Sequence, residues 1–198
     1  MTVSAIRQPD LPIATLLQDD RVDLPAVLTD TVAALRTRGL CVGGVVQYWG
    51  GPLPNGRREM FVADLVSNEQ IRLDTPGGDD PTVCSLDISA FGRVSTVLRD
   101  HIAQAPDILM INRFGLREAE GHGLRAEIAE AIMEGIPVLI VVPARFFSAW
   151  ESFLGGAAHV VAPSTQAILR WSDAVRGASP VISMPVDPRH GYGTSISA

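Results

Sequence analysis

The segment 111–125 carries the residues best suited to bind a small anion. Its sequence, INRFGLREAEGHGLR, contains Arg113, Arg117 and Arg125, whose planar guanidinium groups suit phosphate or another oxyanion. Three glycines in the same segment allow a ligand to approach the backbone closely. A helix predicted to begin near Leu124 would present free N–H groups and a partial positive charge to that anion. The pattern therefore predicts an anion-binding loop.

Several residues of this loop have more than one interpretation. Glu118 and Glu120 could orient the arginines or bind a metal ion, and His122 could be a proton donor, a ligand or an ordinary loop residue. The glycines could serve only to shape a turn, with the charged side chains in exposed ion pairs. We favour binding because open α/β sheets bind ligands at the carboxyl ends of their strands. The candidate ligand-binding residues are Asn112, Arg113, Gly115, Arg117, Glu118, Glu120, Gly121, His122, Gly123 and Arg125.

A second loop, QDDRVD at 18–23, follows the first predicted strand and would lie at the same edge of the sheet. It lacks the glycine-rich stretch, the lysine and the Ser/Thr of a triphosphate-binding loop. Its three aspartates would repel phosphate; they could hold Mg²⁺, but a capped, solvated turn is the favoured interpretation. The candidate rim residues, taken from this loop and from two predicted strand ends, are Asp19, Asp20, Gln47 and Cys84.

Composition excludes several classes of function. All sixteen basic residues are arginine, so no lysine can act as phosphate ligand, base or Schiff-base former. A net charge of -6 argues against a broad nucleic-acid-binding surface. Two cysteines are too few for a disulfide framework and lack the spacing of a zinc site, which predicts a reducing, cytoplasmic location. No signal peptide and no membrane-spanning segment is predicted.

The elements that must position these loops alternate between strand and helix. Predicted strands cover 13–18, 40–47, 59–66, 71–74, 83–86, 108–114, 137–143 and 159–162, and predicted helices cover 23–39, 87–104, 124–134, 145–154 and 164–177. Continuous apolar runs in the strands ILMI and VLIVV are typical of parallel strands covered on both faces. We expect a three-layer, P-loop-like (Rossmann-like) α/β fold, with a mostly parallel sheet and an inserted β-hairpin or meander.

The chain length of 198 residues suits one hydrophobic core. We expect an N-terminal extension at 1–11, a single α/β domain at 12–177 and a tail rich in proline, glycine and serine at 178–198. Cys41 is predicted to pack as a small buried residue. The near-helical spacing of four aromatic residues favours core packing or a subunit interface, the latter in a possible homo-oligomer; these are Phe146, Phe147, Trp150 and Phe153.

The order of elements and the loop motif resemble two groups of proteins. The chain resembles the small P-loop nucleoside triphosphatases in the order of its elements, which is strand, loop, helix, GGVVQ, a strand pair and then INRFG followed by a glutamate. The match is closer to an uncharacterised bacterial domain family, often encoded beside molybdate-transport genes, whose mark is N-x-F-G-x-x-E-A-x-G-x-G-L-R. That resemblance covers 12–176 and rests on Asn112, Phe114, Gly115, Glu118, Ala119, Gly121, Gly123, Leu124 and Arg125.

The resemblance implies binding rather than catalysis. Asn112 and Arg113 stand where the triphosphatases carry an acidic pair, and the phosphate-binding lysine is also absent, so efficient nucleotide hydrolysis is not expected. The leading hypothesis is a non-catalytic or regulatory protein that binds a small-molecule anion, either a nucleotide phosphate or a molybdate-like oxyanion, in molybdenum metabolism. One alternative is a divergent triphosphatase that uses Mg²⁺, with arginine in place of lysine and Glu118 or Glu120 as base or metal ligand. Another is an oligomeric scaffold or regulator.

Overall fold

A computed structural model describes residues 12–18, 21–53, 56–74 and 87–178. The strands are β1 (Ile13–Gln18), β2 (Val42–Pro52), β3 (Arg58–Asp64), β4 (Gln70–Arg72), β5 (Ile108–Asn112) and β6 (Val138–Pro143). The helices are α1 (Leu24–Thr37), α2 (Ile88–Ala103), α3 (Leu116–Ala119), α4 (Arg125–Met133), α5 (Phe147–Leu154) and α6 (Thr165–Ala178). A 3-10 turn at Ala144–Phe146 leads into α5. The described residues do not include Asp19, Asp20, Cys84 or the predicted strand 83–86. They also do not include the two predicted terminal segments, except for residue 178, which ends α6.

The strands form one sheet in the order β1-β6-β5-β2-β3-β4. The first four are parallel, and β3 and β4 continue from β2 as an antiparallel meander. Because the parallel strands all point the same way, the ends of β1, β5 and β6 meet at one edge. The expected mostly parallel α/β fold with an inserted meander is confirmed.

Helices cover both faces of the sheet and make the three layers. On one face α2, α4 and α5 bury apolar side chains against Val45, Ile111 and Ile140. On the other face α1 and α6 pack against Leu16, Met110 and Val141. Successive side chains along each buried strand point to opposite faces of the sheet, so each strand contributes apolar side chains to the cores on both faces. This explains the continuous apolar runs in the sequence. No helix in the described ranges is long and apolar enough to cross a membrane.

Capping residues fix where the two long helices begin. The carboxylate of Asp23 accepts the backbone N–H of Ala26 at 3.2 Å, and Pro25 occupies the first turn of α1. Asp87 accepts the N–H groups of Ser89 and Ala90 at 2.8 and 3.1 Å, so it caps α2. Both starts agree with the predicted helix ranges 23–39 and 87–104.

The aromatic segment near Trp150 belongs to the core. Trp150 is fully buried, packs edge-to-face on Phe114 and donates its indole N–H to the hydroxyl of Thr15 at 2.8 Å. Partly buried Phe146, Phe147 and Phe153 pack against the same cluster. Core packing, one of the two alternatives from sequence, is therefore what the structure shows, and the aromatic spacing no longer argues for a subunit interface.

Several sequence expectations are corrected. β2 continues five residues beyond the expected end at Gln47, as far as Pro52, because Gln47, Tyr48 and Trp49 pair with β3. The predicted strand 159–162 is reduced to a single bridge between Val160 and Thr15. Cys41 is exposed rather than buried, since it precedes the first residue of β2.

The buried carboxylate of Asp64 ties the meander to α2. It accepts the N–H of Val66 at 2.7 Å and the hydroxyl of Ser67 at 2.6 Å, and Nε2 of His101 lies 3.2 Å away. His101 Nδ1 accepts the N–H of Gly44, so a neutral imidazole carries its proton on Nε2, facing Asp64. Burial alone would raise the pKa of Asp64, but these hydrogen bonds and His101 together hold it below its ordinary value.

Asp64→Asn is expected to lower the free energy of unfolding at pH 7 by about 1–3 kcal/mol, with no comparable loss in exposed Asp30→Asn. The contribution of Asp64 is complete above its unfolded pKa of about 3.9 and is lost as the pH falls through its lower folded value. Urea unfolding between pH 7 and pH 3 should therefore show the two stability curves converging at low pH. A gap that stayed constant down to the lowest pH would contradict this account.

Candidate functional site

A cleft of about 360 Å³ opens at the carboxyl ends of the parallel strands. Gln18 ends β1 and Asn112 ends β5, and the first turn of α1 closes one side. Strand β2 runs past this edge and forms the opposite wall. The residues that line the cleft are Gln18, Leu24, Pro25, Gln47, Tyr48, Trp49, Arg58, Asn112 and Arg113.

Asn112 holds β2 and β5 together where their ladder ends. Its backbone pairs with Val46 on one side and Val141 on the other, and its side-chain amide donates to the carbonyl of Gln47 at 3.2 Å. The Asn112–Arg113 peptide is cis. An aspartate at position 112 would bring a negative oxygen to the carbonyl oxygen of Gln47, so the amide suits this place in the sheet.

Arg113 is the charged group at the centre of the cleft. Its guanidinium donates to the amide oxygen of Gln18 at 3.3 Å and lies 6.0 Å from the centroid of the Trp49 ring. Burial, together with repulsion from Arg145, lowers its pKa, although Glu118 acts in the opposite direction. No carboxylate among the described residues forms an ion pair with Arg113. A half-buried arginine with only a neutral acceptor is a good receptor for an anion.

Two further side chains give the cleft polar groups. Arg58 reaches it from β3 while donating to the carbonyl of Gly50 at 3.0 Å. The hydroxyl of Tyr48 is buried and has no hydrogen-bond partner in the described part of the chain, and burial raises its pKa. Because that hydroxyl is buried, the guanidinium of Arg58 is the polar group of the two that a ligand in the cleft can reach.

Glu118 occupies the position at which an external anion was expected. One carboxylate oxygen accepts the N–H of Gly115 at 2.8 Å, and the other accepts the N–H of Leu124 at 2.9 Å, at the beginning of α4. The residue is 4% exposed. The partial positive charge at the start of α4 is therefore neutralised by the protein's own carboxylate. Glu118 is neither free to bind a ligand nor placed to act as a base.

The glycines of the loop accommodate this carboxylate. Gly123 has φ +69°, and a Cβ there would lie 2.0 Å from a carboxylate oxygen of Glu118. Gly121 has φ +92° in an open turn. Gly115 caps the start of the short helix α3, a helix that was not expected from the sequence. Exposed Glu120 and His122 belong to the same turn and make no contact with the cleft. This part of the loop serves mainly to enclose Glu118.

The three arginines of the loop face different aromatic side chains. Arg113 lies beside Trp49, the guanidinium of Arg117 is 5.8 Å from the ring of Phe91, and that of Arg125 is 4.4 Å from Phe153. Arg125 also donates to the backbone carbonyl of Glu118 at 3.0 Å. The expected convergence of Arg113, Arg117 and Arg125 on one anion is therefore not what the structure shows, because each guanidinium packs on a different element.

Of the predicted rim residues, Gln47 lines the cleft, although it lies within β2 and not at its end. The contact of Gln18 with Arg113 was not expected from the sequence, and Tyr48, Trp49 and Arg58 were not among the candidate residues. The aromatic pair in QYWGG favours continued strand and could have signalled the longer β2. Within 12–18, 21–53, 56–74 and 87–178, no three metal-binding side chains cluster together.

Comparison with known proteins agrees with the resemblance inferred from sequence. A stretch of 159 residues, 80% of this chain, is 35% identical to part of a Bradyrhizobium diazoefficiens protein described as molybdenum import ATP-binding protein ModC 2. The match spans only 18% of that protein. No solved structure gives a significant match. A family model described as "Protein of unknown function (DUF2478)" matches residues 13–171, so the chain belongs to the DUF2478 family.

Proposed function

We propose that the protein binds a small oxyanion, either a nucleotide phosphate or a molybdate-like ion, in the cleft at the ends of β1, β2 and β5. Arg113 is the principal ligand. The observation that carries the proposal is the half-buried guanidinium of Arg113, which meets a neutral amide oxygen and an aromatic ring but no described carboxylate. The Glu118 carboxylate, which forms no ion pair with Arg113, offsets only part of the cost of removing this cation from water, and an anion in the cleft relieves the remainder.

The surrounding charges support an anion rather than a cation. Arg58 lines the same cleft, and Arg145 lies near enough to Arg113 to lower its pKa. Neutral Gln18, Gln47 and Asn112 offer amide groups for oxygen atoms at the periphery. Phosphate, sulfate and molybdate all present several oxygens to such a site, and arginine can contact two of them at once.

The similarity to part of a molybdenum import ATP-binding protein is consistent with both kinds of anion. A nucleotide phosphate is compatible with ATP binding by that relative, and a molybdate-like ion is compatible with molybdenum import. The chain spans less than a fifth of that relative, so the relative's activity is not assigned to it. A regulatory role in molybdenum metabolism is part of our proposal.

Binding without hydrolysis fits the geometry better than the triphosphatase alternative. The two oxygens of Glu118 accept backbone N–H groups, and Glu120 is exposed away from the cleft. Neither residue is therefore placed to orient a water molecule against a ligand beside Arg113. General base catalysis needs a free carboxylate within hydrogen-bond reach of that water.

Arg113→Ala is expected to weaken oxyanion binding about 10- to 100-fold, which corresponds to the loss of one charge-assisted hydrogen-bonding group. Isothermal titration with molybdate, tungstate, sulfate, phosphate and ATP measures the effect. The matched control is Arg170→Ala, which removes an exposed arginine on α6 outside the cleft and should leave affinity unchanged. If no anion binds the wild type, or if both variants bind as well as it does, the cleft is not an oxyanion site.

A further inference from the structure

Trp49 differs from the other two tryptophans of the chain in its exposure. Its side chain is 44% exposed, whereas Trp150 and Trp171 are 0% and 6% exposed. It lies near the end of β2 directly opposite Met60 of β3, so the two side chains are neighbours on one face of the sheet. A large exposed aromatic ring beside an apolar neighbour is a suitable surface for stacking.

Trp49 separates the oxyanion cleft from a second cleft of about 450 Å³. Both clefts are lined by Trp49 and Arg58, and the second is also lined by Leu53 and Met60. Asp74 contributes to the second cleft, but its carboxylate is engaged by Arg72 at 2.8 Å and by the N–H of Met60 at 2.9 Å. The second cleft therefore offers the apolar and aromatic surface of Trp49, Leu53 and Met60, bordered by Arg57 and Arg58.

We propose that the ligand is a phosphate ester that carries a planar heteroaromatic ring, as a nucleoside phosphate does. The phosphate lies beside Arg113, and the ring stacks on Trp49 within the second cleft. This inference rests on the proposed oxyanion function and narrows its ligand class. An inorganic oxyanion would make no use of the apolar surface of Trp49, Leu53 and Met60.

The placement of Arg113 beside Trp49 supports a ligand with both features. The guanidinium and the indole lie 6.0 Å apart, so a phosphate on the first and a ring on the second can belong to one small molecule. Leu53 and Met60 provide apolar contacts for the edge of that ring, and Arg58 borders both clefts. Stacking of a base on an aromatic side chain tolerates different bases because every base has a π-face.

Tryptophan fluorescence tests this inference directly. Since Trp150 and Trp171 are buried, ligand-dependent quenching reports on Trp49. Titration with AMP, GMP, adenosine, inorganic phosphate and molybdate separates the contributions of ring and anion. AMP or GMP should bind about 5- to 150-fold more tightly than inorganic phosphate and should quench the fluorescence.

Variants at position 49 test whether stacking on Trp49 causes the tighter binding of AMP and GMP relative to inorganic phosphate. Trp49→Ala should abolish the advantage of AMP over phosphate, measured in calorimetry as the ratio of the two affinities within the same variant, and Trp49→Phe should restore most of that ratio. Circular dichroism and thermal unfolding verify that each variant is folded, and Trp49→Phe keeps the test valid should the alanine variant unfold.

The outcomes separate the two proposals. If phosphate or molybdate binds through Arg113, but AMP and GMP bind no more tightly or Trp49→Ala weakens all ligands equally, the aromatic subsite is wrong and the oxyanion site stands. If none of these ligands binds, the oxyanion proposal fails, and the ring subsite fails with it.

Discussion

Glu118→Ala is expected to lower the free energy of unfolding by about 2–6 kcal/mol. The change removes the acceptor of two buried backbone N–H groups, those of Gly115 and Leu124, and each unsatisfied buried donor costs about 1–3 kcal/mol. It also removes the negative charge beside the beginning of α4. The loop 113–124 should lose its fixed path, although the sheet behind it remains.

Urea unfolding measures this loss, and hydrogen exchange at Gly115 and Leu124 locates it. Glu120→Ala is the matched control, because it removes an exposed carboxylate two residues away and should change stability by less than about 0.5 kcal/mol. Glu118→Gln should fall between the two, since the amide keeps one acceptor oxygen but turns an N–H₂ group toward a backbone donor.

The result also separates a structural role from a catalytic one. A catalytic carboxylate can be replaced with loss of activity while the protein stays folded, as the triphosphatase alternative requires of Glu118. Equal stability of Glu118→Ala and the wild type would therefore refute the role assigned to the two N–H contacts and would make the catalytic alternative worth testing again.

Local signals predicted the scaffold well. The starts of α1 and α2 depend on capping contacts within a few residues, and the strands β1 and β6 are marked by short apolar runs. All four were predicted within one or two residues of their observed bounds. The continuous apolar runs of β5 and β6 identified parallel strands covered on both faces. Together these features predicted the edge of the sheet at which Gln47, Asn112 and Arg113 line the cleft.

The arrangement of the loop could not be predicted in the same way. A run of arginines, glutamates and glycines does not reveal whether an external anion or an internal carboxylate occupies the helix start, since both satisfy the same N–H groups. The carboxylate of Glu118, and not an external anion, occupies the helix start because α3 turns the Glu118 side chain back toward Leu124. The directions of Arg117 and Arg125 likewise depend on Phe91 and Phe153, which belong to distant elements.

The residues of the aromatic subsite were missed for a different reason. The predicted strand ended at Gln47, shortly before the glycines at 50 and 51, so Trp49 was not assigned to it. Pairing with β3 overrides that local preference and extends β2 through Trp49 to Pro52. Strand preference depends strongly on such partners, and a single sequence does not show them.

Gly44→Ala is expected to lower the free energy of unfolding by more than about 4 kcal/mol and the unfolding temperature by about 8–16 °C, or to leave the protein insoluble. Gly44 lies inside β2 with φ +112°, a conformation that residues with a Cβ avoid. A Cβ there would lie 1.9 Å from the carbonyl oxygen of Met110 in β5. Because this neighbour is backbone of a central strand, no side-chain rotation relieves the clash.

Gly92→Ala provides the matched control. Gly92 is exposed within α2, and a Cβ there would meet no atom within 4 Å, so the substitution should raise stability by about 0.5–1 kcal/mol. Thermal and urea unfolding of both variants compare the same chemical change in two settings. Near-wild-type stability of Gly44→Ala would mean that β2 and β5 can separate at this point, and the two strands that Asn112 joins beside the cleft would then not form a rigid base for it.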